Sequence, residues 1–202
     1  MVQPAPSERN FHIFYQLCKA VDSKMREQLF LTSDDPSDYE YTKTCTDVDT
    51  INDDEEFKEV LDAFHELEIP DNERDGLFSV VAAILELGNV TFKETRGDEC
   101  VVDESSARHL EAAARALKVD AKTLGHSLVT RILTVRNEKT TCTLDTKQAS
   151  DSRHALCKFA YGRMFDWLVD RINKSMSTGK GKASRLYIGV SASFVYYVDC
   201  HP

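Results

Sequence analysis

The chain has 202 residues, 42% hydrophobic and 29% charged, a balance that suits one sizeable soluble domain and is short for two. Its formal net charge of −9 argues against a general nucleic-acid binder, which is ordinarily basic. No apolar run is long enough to span a bilayer and the polar start Met1-Val2-Gln3-Pro4 is no signal peptide, so no membrane partner is expected and a soluble, cytoplasmic protein is. The charge is uneven: Asp34 to Asp62 is strongly acidic, whereas Arg131 to Arg185 carries much of the Lys and Arg.

Pro4-Ala5-Pro6-Ser7 reads as an extended entry, with Ser7 as an N-cap candidate ahead of Glu8. Phe11, Phe14, Tyr15, Leu17 and Cys18 recur at helical spacing and predict a buried helix over residues 8–21, followed by a weaker one over Lys24 to Leu29. Thr32 to Thr50 is rich in Ser, Asp, Pro and Thr and reads as an exposed connection. Asn52-Asp53-Asp54 caps the next helix, with a solvated acidic first turn suited to the helix dipole and a stripe of Phe57, Val60, Leu61 and Phe64. After the break at Pro70-Asp71-Asn72, residues 72–87 make the most apolar helix, and Gly88 stands where a left-handed cap is expected.

Asn89 to Phe92 reads as a short extended piece and Lys93 to Val102 as a charged loop. Ser105-Ser106 opens a helix that runs to Leu117, and Asp120 caps another from Ala121 to about Thr130. Residues 131–141 mix apolar and polar positions as a twisted hairpin or extended loop does. A long helix follows from about Asp145 to Met176, with apolar residues on much of its circumference. Ser177 to Lys182 reads as a flexible loop and Leu186 to Val190 as a strand.

The six cysteines, Cys18, Cys45, Cys100, Cys142, Cys157 and Cys200, form no Cys-x-x-Cys pair and have no His at zinc-finger spacing. Buried free thiols in a reducing compartment are the expectation, with no metal site.

Ser7-Glu8-Arg9-Asn10-Phe11-His12-Ile13-Phe14-Tyr15-Gln16-Leu17 is the most specific string in the chain, and it resembles a signature of the myosin head. Ala83-Ile84-Leu85-Glu86-Leu87-Gly88-Asn89 resembles a second segment of that family, with Glu86 where His is usual. Asp151-Ser152-Arg153-His154-Ala155-Leu156-Cys157-Lys158 and Tyr161-Gly162-Arg163-Met164-Phe165-Asp166-Trp167 extend the resemblance, which covers about residues 5–190. The implied fold is mainly α: the helical upper, actin-gripping subdomain of a P-loop NTPase-type motor head, with one terminal β-strand and an incomplete central sheet. Residues 1–190 are then part of a motor domain and 191–202 a non-homologous tail. The implied parent is an actin-activated Mg-ATPase on the actin cytoskeleton, with filamentous actin and the remainder of the head as partners.

Within that resemblance Arg131 to Gln148 matches the actin-facing surface loop. The position at which the family tunes actin engagement through a negative charge falls on Glu138, sixteen residues before His154. A carboxylate there is charged without phosphorylation. Arg136, Lys139 and Lys147 are the accompanying actin-binding candidates, as cations facing an acidic filament. Lys93 to Val102 resembles a second actin-proximal loop.

No catalytic or cofactor-binding residue is expected. ATP hydrolysis needs a Gly-rich phosphate cradle with a Lys and a Ser or Thr for Mg²⁺. In Ser177 to Ser184, Met176 stands in place of the leading Gly, Ala183 in place of the hydroxyl residue, and a helix instead of a strand precedes. The first nucleotide switch is expected before Met1, and the second is replaced by Ser191 to Pro202. The chain alone is therefore expected not to hydrolyse ATP, the resemblance ending mid-strand suggests an unspliced intron, an alternative exon or a faulty gene model, and the alternative reading is a stand-alone actin-binding module or a truncated product without independent activity. Asp151, Ser152 and His154 sit within one helical turn and are expected to be surface polar residues, because such close neighbours do not converge as a triad.

Overall fold

The structure, a computed structural model, describes residues 8–95, 99–136 and 138–177. Among these the order is α1 (His12–Lys19), α2 (Ser23–Leu29), α3 (Asp53–Glu66), α4 (Asp71–Gly88), β1 (Phe92–Glu94), β2 (Cys100–Val102), α5 (Ala107–Leu117), α6 (Ala121–Val129), β3 (Thr130–Val135), β4 (Glu138–Thr143) and α7 (Thr146–Ser177). The mainly helical expectation holds. The strand expected at Leu186 to Val190, the Gly-Lys run from Thr178 onward and the tail 191–202 lie outside the described residues.

Helix α4 is the centre of the molecule and packs against α1, α2, α5 and α7. Val81 through Gly88 is buried without a break, so its last two turns are enclosed on every side. Phe78, Ile84, Leu85 and Leu87 are each at most 2% exposed, and full burial of such side chains contributes about 1.5–3 kcal/mol apiece. Gly88 differs from the expected left-handed cap. It is the last helical residue, and Asn89 follows in the right-handed region at φ −86°. Its lack of a side chain serves packing: a Cβ there would lie 2.8 Å from both Cδ2 and Cε2 of the Tyr41 ring.

Helix α1 begins at His12, four residues later than the periodicity predicts. Tertiary contacts hold the preceding residues extended. The Arg9 guanidinium donates to both Asp53 carboxylate oxygens at 2.8 Å and lies 3.8 Å over the Tyr15 ring. Asn10 Nδ2 donates to the Tyr41 carbonyl at 3.0 Å. Asp53 is thus no solvated first-turn carboxylate. It is 7% exposed and also pairs with Lys19 at 3.1 Å.

The Thr32 to Thr50 segment is likewise no exposed connection. Pro36, Tyr39, Tyr41 and Thr42 are buried, the last three at 2% exposure or less. Local capping follows the sequence closely. Asp22, Asn52 and Asp120 accept backbone N–H groups at the starts of α2, α3 and α6. Asp145 and Gln148 exchange backbone N–H bonds ahead of α7, which at 32 residues is ~48 Å long.

The expected loop Lys93 to Val102 contains a two-stranded sheet, with Phe92 opposite Val102, Lys93 opposite Val101 and Glu94 opposite Cys100. Its drive is non-local. Cys100 joins Val129, Leu144 and Ala149 in a second small core, against which Phe92 and Val102 pack. Cys18, Cys100 and Cys157 are buried thiols, while Cys45 and Cys142 are half-buried.

Candidate functional site

The β3–β4 ribbon grows directly out of α6 and returns directly into α7. Its base is fixed: Leu144 N–H donates to the Val129 carbonyl at 2.9 Å, and both side chains sit in the second core with Ala149. From there the strands pair in register, Thr130 opposite Thr143 through Val135 opposite Glu138, with Arg136 at the tip. Arg136 has φ 49°, the left-handed geometry that a short hairpin turn demands.

Strand alternation sorts the side chains onto two faces. Ile132, Thr134, Lys139 and Thr141 share one face; Arg131, Leu133, Glu138, Thr140 and Cys142 share the other. Ile132 is 67% exposed and Leu133 40%. The structure brings Arg136, Glu138 and Lys139 together at the tip, with Glu138 and Lys139 directed oppositely. It leaves Lys147 at the base, exposed on the first turn of α7. None of these four makes a side-chain hydrogen bond or ion pair among the described residues, so their charges face solvent. At the β1–β2 hairpin Lys93 lies 3.7 Å from Asp103.

A buried polar hub lies in the core. Glu86, with no exposed surface, accepts from Thr32 N–H at 2.7 Å, Thr32 Oγ1 at 3.1 Å, Tyr39 OH at 3.2 Å and His109 Nδ1 at 2.7 Å. Arg108 Nε donates to His109 Nε2 at 3.2 Å, which assigns the imidazole proton to Nδ1, facing Glu86. The hub joins α4, α5 and the segment after α2. Burial, and after it the Glu86 charge, raises the Tyr39 phenol and pushes the Cys18 thiol up to about 12. Sequence reasoning marks Glu86 only as a departure from the family's His, because its partners lie 23 to 54 positions away.

The Asp151, Ser152 and His154 cluster is not a triad, and His154 is more than a surface polar residue. Its Nδ1 is 2.8 Å from Tyr41 OH, and Arg153 Nη2 is 2.9 Å from its Nε2. Burial, then the Arg153 charge, holds its pKa below the ordinary imidazole value. Burial raises the Cys157 thiol beside the Tyr41 hydroxyl, while Arg153 reaches the Val90 carbonyl. These contacts lock α7 onto α4 and the buried segment.

The sequence pattern of the family described as "Myosin head (motor domain)" matches residues 1–194. Myosin-6 of Arabidopsis thaliana is 40% identical over 192 residues, covering 93% of this chain and 12% of the relative. Myosin-8 of the same plant is 41% identical over 192 residues, with the same coverage. The myosin ID heavy chain of Dictyostelium discoideum is 34% identical over 197 residues, covering 94% of this chain and 18% of that protein. The chain belongs to the myosin head family. It spans less than a fifth of the length of these relatives.

The myosin signature Arg9 to Leu17 is mainly architectural in this structure. Phe14, Tyr15 and Leu17 have no exposed surface, Arg9 ties α1 to α3, and Phe11 stacks on Tyr161 of α7 with ring centroids 4.3 Å apart. Among the described residues no helix is long and apolar enough to cross a membrane.

Proposed function

We propose that the β3–β4 ribbon is part of the actin-binding surface of a myosin motor. The observation that carries this reading is the projecting ribbon itself. It has a pinned base, three cations among Arg131, Arg136 and Lys139, and Ile132 exposed beside Lys139 on one face. An exposed β-branched side chain flanked by a cation suits docking to an acidic protein surface, with the apolar contact as anchor and the charges as salt-sensitive rim. Glu138, on the opposite face, acts as a fixed negative charge, and Lys147 adds a cation at the base. Actin on the cytoskeleton, in the cytoplasm, is the partner that the family supplies for such a surface.

Mg-ATP hydrolysis would belong to the complete motor. A phosphate cradle needs a Gly-rich loop between a strand and a helix. Among the described residues Gly76, Gly88, Gly125 and Gly162 all lie within helices, so these residues do not fit the nucleotide's phosphates. The described residues therefore supply no phosphate cradle, and hydrolysis is proposed as a property of the complete motor. Helix α7 supports its place within a larger head: Phe159 is 67% exposed and Trp167 40%, apolar surface that the remainder of the head would cover.

Co-sedimentation with filamentous actin at low and high salt tests the reading. The chain should pellet at low salt and be released at high salt. Absence from the low-salt pellet overturns it.

A further inference from the structure

The corner between α3 and α4 opens a groove of about 1000 Å³, which admits a few side chains of a peptide and not a folded domain. Leu61, Phe64 and Ile69 supply its apolar part, and the exposed carboxylates Asp62, Glu66 and Glu68 stand on its rim. None of these three carboxylates pairs with a cation among the described residues. Arg74, the one lysine or arginine in the groove, is already engaged with Asp71 at 2.9 Å and Asp75 at 2.8 Å.

This negative charge sits where the helix itself disfavours it. The free carbonyls of a helix C-terminus carry partial negative charge and are stabilised by cations. Yet the last turn of α3 holds Glu66 and no lysine or arginine, and Glu68 follows directly after the cap at Leu67. Glu68 also takes φ 51°, the left-handed region that favours glycine, so its carboxylate is kept on the rim against both electrostatics and backbone preference. Asp71 and Glu73, at the start of α4, suit that helix's dipole; Asp62, Glu66 and Glu68 have no such explanation. Helix α7 holds the corner in shape. Arg171 Nη2 donates to the Glu68 carbonyl at 3.0 Å, with its charge answered by Glu73 at 3.0 Å, and Ser175 Oγ donates to the Leu67 carbonyl at 2.7 Å.

We propose that this groove docks a basic amphipathic segment of a partner protein, its apolar side chains against Leu61, Phe64 and Ile69 and its Lys or Arg on Asp62, Glu66 and Glu68. Charge complementarity decides the occupant. An acidic or purely apolar segment would leave the three carboxylates unanswered, whereas apolar anchors at helical spacing flanked by cations match floor and rim together. A cation seated there also meets the carbonyl end of α3. The groove lies at the far end of α7 from the ribbon, so docking here is independent of the actin reading.

Fluorescence anisotropy on the full chain tests it, with a labelled synthetic peptide of leucine and lysine at helical spacing as the probe. The peptide should bind, and Asp62→Asn/Glu66→Gln/Glu68→Gln should weaken binding about tenfold. Neutralising three exposed acids in the first half of α3, Asp54→Asn/Glu55→Gln/Glu59→Gln, should leave the affinity within about twofold. A lysine–serine peptide of the same charge should bind about tenfold more weakly than the probe. All six substitutions are at exposed positions, so the fold tolerates them. Absence of binding overturns the proposal. Equal weakening by the two variants, or equal binding of the lysine–serine peptide, overturns it too, because either marks general attraction of cations to an acidic chain. Binding that is lost in a complete motor also overturns it, assigning the groove to the remainder of the head.

Discussion

Replacing Glu86 with Ala tests the buried hub directly. The substitution removes the acceptor of Thr32 N–H and of His109 Nδ1–H, both at 2.7 Å, in a site with no exposed surface at Glu86 and 8% at His109. Of the four donors on Glu86, Tyr39 OH keeps the Ser33 carbonyl at 3.1 Å and the hydroxyl of Thr32, an exposed residue, can turn to water, so two close donors are left without their acceptor. Each stranded buried donor costs about 1–3 kcal/mol. Their sum, with the lost packing, comes to about 4 kcal/mol. Against a domain stability of about 5–15 kcal/mol this is a large fraction. With a urea dependence of ~2 kcal/mol per molar, the unfolding midpoint followed by circular dichroism should drop by ~2 M at unchanged slope. Glu86→Gln keeps the shape and one carbonyl oxygen and should lose about 1–3 kcal/mol. A Glu86→Ala midpoint within ~0.3 M of the parent would refute the claim that this carboxylate holds the segment after α2.

Stability should also fall on the alkaline side. The Cys18 thiol, at 9.0 when unburied, is pushed up to about 12 in the fold by burial and the Glu86 charge, and burial raises Tyr161 from 10.0 to about 12. Below pH 9 both states keep these protons; between 9 and 12 the unfolded chain ionises first, so stability drops by up to ~1.4 kcal/mol per pH unit for each such group. Urea midpoints at pH 8, 9.5 and 10.5 check this, and a flat profile contradicts it. His154 gives the opposite sign: its lowered pKa contributes stability above 6.5 that is lost as pH falls through the folded value. Gly88→Ala should cost about 1–3 kcal/mol despite alanine's better helix propensity, because its Cβ meets the Tyr41 ring at 2.8 Å; an unchanged melting midpoint would mean that the ring yields freely. For actin binding, Lys139→Ala and Glu138→Ala, made in a complete motor, should each weaken affinity severalfold. Only the lysine variant should also flatten the salt dependence of association, as stopped-flow rates over a salt series would show.

The sequence by itself determined the helices and the family. The stripe Phe57, Val60, Leu61 and Phe64, the apolar run of α4 and the caps at Asp22, Asn52 and Asp120 are local signals, readable because helix periodicity and capping act within about one turn. The signature strings that place the chain among myosin heads were legible for the same reason, since they are contiguous. Residues 131–141 were legible as a twisted hairpin or an extended loop; the structure makes them a hairpin with Arg136, Glu138 and Lys139 at its tip, and Lys147, at the base, does not join them.

Tertiary structure decided what is buried and which way it points. Thr32 to Thr50 has the composition of a loop, yet Tyr39 and Tyr41 are core residues because Glu86, 47 positions beyond Tyr39, and His154, 113 beyond Tyr41, meet their hydroxyls. Arg9 shortens α1 because a carboxylate 44 residues away offers both its oxygens to the buried Arg9 Nη2. Likewise the pairing of Lys139 with the Ile132 face and of Glu138 with the Leu133 face follows from a register that the base residues Val129 and Leu144 fix. Polar side chains have no one-dimensional pattern that announces burial. Their cost in the core is offset only by partners that the fold brings from far along the chain.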